Sequence, residues 1–459
     1  MLRKNFVPLT IALSLLACTP EPSPASTESA GDTSSSTSGE PTDTSTTTSS
    51  SSTDGPTGDP TSTDATDATD ATDTTDTTIG ESTSTGDPEL PPGCGDGTFE
   101  EGVLCYTGAP LEGLPLKGEF VSELALADLD EDGALDLIVI ATFACPIVGD
   151  HHHDLTLPGV HDPVTAFSLI TAHGDGEGGL SEGLDIDAPD ELGSGLVTGD
   201  FNGDGHIDVA LLAKNTTVWS FAGDGAGGLA QPTEHVPAIP PKDLAAGDLN
   251  GDGSDDLAVA GSGGLTVLMA DGMGGFVESL LPTEAPLSAV LTADITGDDE
   301  LDVIVGGDDE IATFPGDGLG VLTVGETLAV EPSIKTLHLI DDGLGGHTLF
   351  ALTWGNPSVY TLGIDADGQL GTLEPLSSAT SLAAGRFNPD ELGDIVGLSD
   401  APTWAILGGD PSPGPAVNLA IAGLKPSNTS ESVAGDLNGD GLDDLVIAGS
   451  PDMILLSIP

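Results

Sequence analysis

Carboxylates recur in this chain at a spacing that suits a hard cation. The pattern is Asp-x-(Asp/Asn/Thr)-x-Asp-(Gly/Asp)-x-x-Asp, and it starts at Asp128, Asp200, Asp248, Asp294 and Asp436. Side-chain oxygens at positions 1, 3, 5 and 9 of a tight turn, with a backbone carbonyl at position 7, make an oxygen-only set of the kind calcium takes. The first set is Asp128, Asp130, Asp132 and Asp136, with the carbonyl of Ala134. The second is Asp200, Asn202, Asp204 and Asp208, with His206. The third is Asp248, Asn250, Asp252 and Asp256, with Ser254. A fourth is Asp294, Thr296, Asp298 and Asp302, and the last is Asp436, Asn438, Asp440 and Asp444, with Leu442. Gly133, Gly205, Gly253 and Gly441 at position 6 permit the positive φ that such a turn demands. Asp299 replaces that glycine in the fourth loop, where weaker binding is expected. Without an ion, two carboxylates ~5 Å apart repel by about 3 kcal/mol at an effective dielectric near 20. The expected role of the ion is therefore structural; a solvated acidic turn is the alternative.

An EF-hand would need Glu at position 12 on a helical flank. Position 12 of the first loop is Val139, inside a strand-like run, and dockerin-type loops likewise end on a helix. Here position 9 leads directly into apolar residues. Two decayed copies, at Asp341 and at Arg386, complete a series whose starts lie 72, 48, 46, 47, 45 and 50 residues apart. A period of that size means stacked or radial units, each one supersecondary element. Arg386 is expected to replace an ion by pairing with Asp390 and Asp394.

The elements that hold these loops follow from the third copy. Residues 244–248 read as a strand before the loop, and 257–261, 265–270 and 276–282 as three strands after it. Short, nearly continuous apolar runs between Gly-rich turns argue all-β structure with sheets buried on both faces. Four strands in each of seven units predict a seven-bladed β-propeller. The last unit stops one strand short, and residues 103–113 are free to supply it, which would close the ring without an open edge.

The unit resembles the FG-GAP/VCBS repeat, the blade of integrin α-like propellers and of many bacterial surface proteins. The resemblance covers about residues 103–459 and rests on the five intact loops. It implies calcium as the only cofactor, at about five structural sites, all on one rim. It also implies a recognition or adhesion role toward a protein or glycan.

Composition narrows the class. Eight Lys+Arg stand against 76 Asp+Glu, a formal net charge of −68. Such a field repels nucleic acid and anionic lipid. Residues 1–18 read as an export signal, with Arg3 and Lys4 before a short apolar run. Leu15 to Cys18 resembles a lipoprotein lipobox, so Cys18 is the expected lipidation site. Thr19 in the next position favours the outer membrane or cell surface by that family's sorting rule. Residues 19–92 are Thr, Ser, Asp, Gly and Pro without an apolar period, a disordered tether with a mean reach of roughly 45 Å. In the segment 93–106, Cys94 and Cys105 are expected to form a disulfide, and the propeller is assigned to 107–459 as a monomer.

The first two loops lie further apart because of an insertion at 144–163. Alternating turns place it on the face opposite the loops. His151, His153 and His161 make it a candidate ligand or transition-metal loop; a solvent loop with incidental histidines is the alternative. No nucleophile motif, phosphate loop or other catalytic constellation emerges, so the expected role is non-catalytic. A surface polysaccharide hydrolase or lyase using funnel carboxylates, and a passive scaffold, are the competing readings.

Overall fold

Every strand before a loop begins a blade. A computed structural model of the chain describes residues 106–110, 120–145, 164–188 and most of 192–459. The described residues form seven four-stranded antiparallel sheets and no helix. Their inner strands are β2 (Phe120–Ala127), β6 (Leu192–Gly199), β10 (Pro241–Gly247), β14 (Leu287–Ala293), β18 (Ile334–Asp341), β22 (Ser381–Gly385) and β26 (Glu431–Gly435). Each inner strand touches the next, and β26 touches β2, so the ring closes on itself.

Parity explains the continuous apolar runs. In blade 3, β11 (Asp256–Gly261) is buried along its whole length. Its Leu257 and Val259 pack with Phe201, Leu212 and Val218 of blade 2. Its Ala258 and Ala260 pack with Leu287, Val303 and Val305 of blade 4. Both faces of each blade are thus core, and seven apolar clusters fill the seven joints between neighbours. Fully burying such a Leu or Val contributes about 1.5–3 kcal/mol.

The closing blade is assembled from both ends of the ring. β1 (Tyr106–Pro110) pairs antiparallel with β28 (Met453–Ser457), with Tyr106 opposite Ser457 and Pro110 opposite Met453. The sheet order is β1-β28-β27-β26, β27 being Asp444–Ala448. The strand missing from the last repeat is therefore supplied from residues 106–110, inside the stretch expected to provide it.

Adjacent blades also interlock through a size rule. Gly199, Gly247, Gly385 and Gly435 stand immediately before a loop. A Cβ there would lie 2.6–2.8 Å from Asp255, Leu301, Asp443 and Leu135, each at position 8 of the next loop round the ring. Between blades 5 and 6 the rule is inverted: Ile340 is the bulky member and Gly393 the small one. One partner of each such pair must be small.

Candidate cation rim and channel mouth

The loops and the Gly-rich turns share one rim, as the alternation of strands requires. In the first loop, Asp128, Asp130 and Asp132 bring carboxylate oxygens within 4.8 Å of one another. Position 1 organises each turn. In the third loop, Asp248 Oδ1 accepts from the N–H of Gly251 (2.7 Å) and Oδ2 from that of Gly253 (2.9 Å). Asp200 and Asp294 repeat this with Gly203 and Gly205 and with Gly297 and Asp299. Asp299 takes φ +68° to do so. The turn also needs positive φ at position 4, where Gly203, Gly251, Gly297 and Gly439 lie near +70° and Glu131 is forced to +58°. Position 4 was missed in the sequence, although four glycines in five loops mark it.

Position 9 has a different surrounding from positions 1, 3 and 5. Asp136, Asp208, Asp256, Asp302 and Asp444 are buried to within 2%. One oxygen of each accepts the position-2 N–H, at 2.8–3.1 Å in these loops. The other accepts an N–H from the end of the third strand, at 2.5–2.9 Å. Asp394 keeps both bonds in the decayed sixth copy. Burial pushes these carboxyls up, Asp256 to about 6 and Asp394 to about 7, against the opposing pull of the N–H donors. Position 9 therefore anchors the loop to its own blade whether or not an ion is near. Asn202, Asn250 and Asn438 each donate Nδ2 to that buried carboxylate. In the last loop Asn438 Oδ1 turns inward and accepts from Asp440 (2.9 Å).

Calcium fits this donor set in part. In the first loop positions 1, 3 and 5 bring three carboxylates together. Thr296 Oγ1 is buried beside Asp302 without a well-formed hydrogen bond, as expected of an oxygen that lacks a cation. Bound calcium would be held by positions 1, 3 and 5, with position 9 able to offer only its remaining lone pairs.

Arg386 departs from expectation. Its guanidinium donates to the Gly441 carbonyl of the next blade (2.8 Å), and its N–H donates to Asp443 (2.7 Å). Its partners are therefore on the neighbouring loop rather than Asp390 and Asp394. The same cross-blade bond joins the Asp200 N–H to Asp255 (2.9 Å). The Gly-rich turns complete the rim: Gly227, Gly320 and Gly178 donate their N–H groups to the carbonyls of Leu129, Leu249 and Leu437 in the preceding blade.

At the opposite end, the position five residues before each loop forms a ring of its own: Glu123, Gly195, Asp243, Ala289, Thr336, Ser381 and Glu431. Three of the seven are carboxylic acids on inner strands, close enough to raise one another's pKa. Asp243 accepts from the N–H of Val290 in the next blade (3.0 Å), and burial pushes it up to about 7. Glu431 is likewise pushed to about 7 by burial, with Lys335 pulling the other way from 4.0 Å. Lys335 Nζ also lies 5.7 Å from the ring centre of Trp354, which is 74% exposed. His338, two residues beyond this ring, is driven down to about 4 by burial and stays neutral. The sequence signal was an acid inside an otherwise apolar strand, visible only once the repeats are aligned on their loops.

Cys18, Cys94, Cys105, His151, His153 and His161 lie outside the described residues, as do the export signal and the tether. β3 (Asp136–Cys145) and β4 (Val164–Gly174) bracket the insertion and place its two ends away from the cation rim.

A family model described as an FG-GAP-like repeat matches residues 200–259 and 248–305. No curated protein matches. Among solved structures, the chain is similar to Saccharomyces cerevisiae Sqt1, with 12% identity over 77% of this chain and 98% of that one and a TM-score of 0.48. It is also similar to BBS1N in complex with ARL6DN (14% identity, 57% and 78% covered, TM-score 0.42). A lectin of Agrocybe aegerita that recognises non-reducing terminal N-acetylglucosamine gives 15% identity, 55% and 79% covered and a TM-score of 0.33. None of these scores reaches 0.5, and none assigns a function. Residues 200–305 carry FG-GAP-like repeats, and they form part of a seven-bladed propeller.

Proposed function

We propose that this chain is a calcium-stabilised recognition module, exported and lipid-anchored at Cys18 on the bacterial cell surface, that binds a protein or a glycan. One observation carries the reading: the two ends of the ring are differently equipped. The cation rim spends its side chains and N–H groups on joining blade to blade. The other end presents exposed Trp354 beside Lys335 and the acids Glu123, Asp243 and Glu431. An aromatic surface flanked by charged groups suits recognition of polar partners. The test is a binding screen of the purified chain against glycans and surface proteins, with and without chelator. W354A should abolish any hit, and chelation should weaken it. Binding that survives W354A would remove the channel mouth as the recognition face.

The raised pKa values of Asp243 and Glu431 favour one second reading, catalysis on a surface polysaccharide, because a carboxyl near pH 7 can act as a general acid. Polysaccharide turnover lost in D243N would establish it.

A further inference from the structure

Blade 1 differs from every other blade at two positions that meet in space. Position 3 is Asn in loops 2, 3, 6 and 7 and Thr in loop 4, but Asp130 in loop 1. The residue before the third-strand N–H donor is Ala222, Met269, Pro315, Leu407 or Leu456 elsewhere, but His173 in blade 1. In loops 2, 3, 6 and 7 an Asn amide donates a hydrogen bond to the buried position-9 carboxylate. Asp130 has no proton to donate. Its carboxylate and that of Asp136 instead face one imidazole nitrogen. His173 Nδ1 lies 3.4 Å from Asp130 Oδ2 and 3.6 Å from Asp136 Oδ2. Neither contact is a well-formed hydrogen bond, and this buried nitrogen has no hydrogen-bond partner.

We propose that Asp130, Asp136 and His173 form a transition-metal site of the zinc class, distinct in metal preference from the oxygen-only loops. Zinc bound at about 2.1 Å in a tetrahedron separates its ligand atoms by roughly 3.4 Å. The two nitrogen–oxygen separations, 3.4 and 3.6 Å, lie close to that edge, and all three ligand atoms fall within 4.8 Å of one another. Imidazole nitrogen also shifts preference from calcium toward zinc, copper or nickel. Asp136 Oδ2 accepts one N–H, from Leu129, and keeps a second lone pair for an ion. The neighbouring blade holds the imidazole in place: Gly227, at φ +78°, leaves room for the ring, and a Cβ there would lie 2.3 Å from His173 Cε1.

The site rests on the reading that the rim loops take cations, and its test separates the two claims. The full chain, stripped of metal with chelator, is titrated with Co2+ and read by its tetrahedral d–d absorption, which oxygen-only loops of higher coordination do not give. One equivalent should bind, and H173A and D130N should each weaken it by at least about tenfold. Both variants copy residues other blades already carry, Ala222 and Asn202, so the fold should persist. Zn2+ should displace the cobalt. A chain that takes no cobalt overturns the site. So does one whose affinity is unchanged in H173A, the result expected if His151 to His161 were the binder. Loss of the calcium-induced thermal shift with the cobalt result intact would sink the calcium reading and leave this site standing.

Discussion

At the scale of single residues, two carboxylates four positions apart do different work. Asp252, at position 5, is exposed and meets only its own loop. Asp256 is buried and is the acceptor for two N–H groups of the blade. D252A should therefore cost little stability under chelation but abolish much of the calcium-induced stabilisation at that site. One site at a hundredfold excess over Kd contributes about 2.7 kcal/mol. D256A should cost about 2–5 kcal/mol with or without calcium, because two buried N–H groups lose their acceptor. Urea midpoints of both variants with calcium and with chelator check this. Equal calcium dependence in the two variants would contradict the division of roles. Positions 1, 3, 5 and 9 were all legible as oxygen donors in the sequence. That position 9 serves the backbone was not, because its partners lie in a strand 13 to 38 residues further on.

At the scale of elements, the apolar runs made the strands legible to within three residues, since a strand buried on both faces has few polar interruptions until its turn; the start of β10, Pro241, was placed at 244. The reading at 257–261 falls inside Asp256–Gly261, and that at 265–270 inside Gly264–Ala270. What escaped was the fit between elements. The exchange of Gly247 and Leu301 for Ile340 and Gly393 is a property of pairs some fifty residues apart, and no local pattern announces it. The same holds for Arg386, whose partners belong to the next loop. Closure was legible because one repeat visibly lacked a strand. Removing residues up to 110 should expose the edge of β28, lower the melting temperature and raise self-association. Differential scanning calorimetry and light scattering on the shortened chain measure both. An unchanged transition would mean that β1 does not hold the ring shut.

At the scale of the whole molecule, acidity concentrates where it costs most. Asp243 and Glu431 are raised to about 7 in the folded chain, from ordinary carboxyl values near 4. A group raised on folding contributes stability that is present below its unfolded pKa and lost as pH rises through the folded one. The channel mouth should therefore cost stability progressively between about pH 4 and pH 7. Relative to the parent chain, D243N/E431Q should be neutral or slightly destabilised at pH 4.5 and more stable at pH 7.5. The gain is on the order of 1 kcal/mol or more, since each unit of displacement corresponds to about 1.4 kcal/mol before screening and Lys335 offsets part of it. Urea midpoints across this range decide it. A difference that does not change with pH would show that the acids are solvated like ordinary surface groups.

The pairing of β1 with β28 has a mechanical consequence. Tension applied through the amino-terminal segment enters the ring at β1, the outermost strand of the blade that joins its two ends. Five residue pairs bear that load before any other blade feels it. A chain held by its amino end and pulled through its ligand should therefore fail first by peeling β1, at a lower force than one pulled between two interior blades.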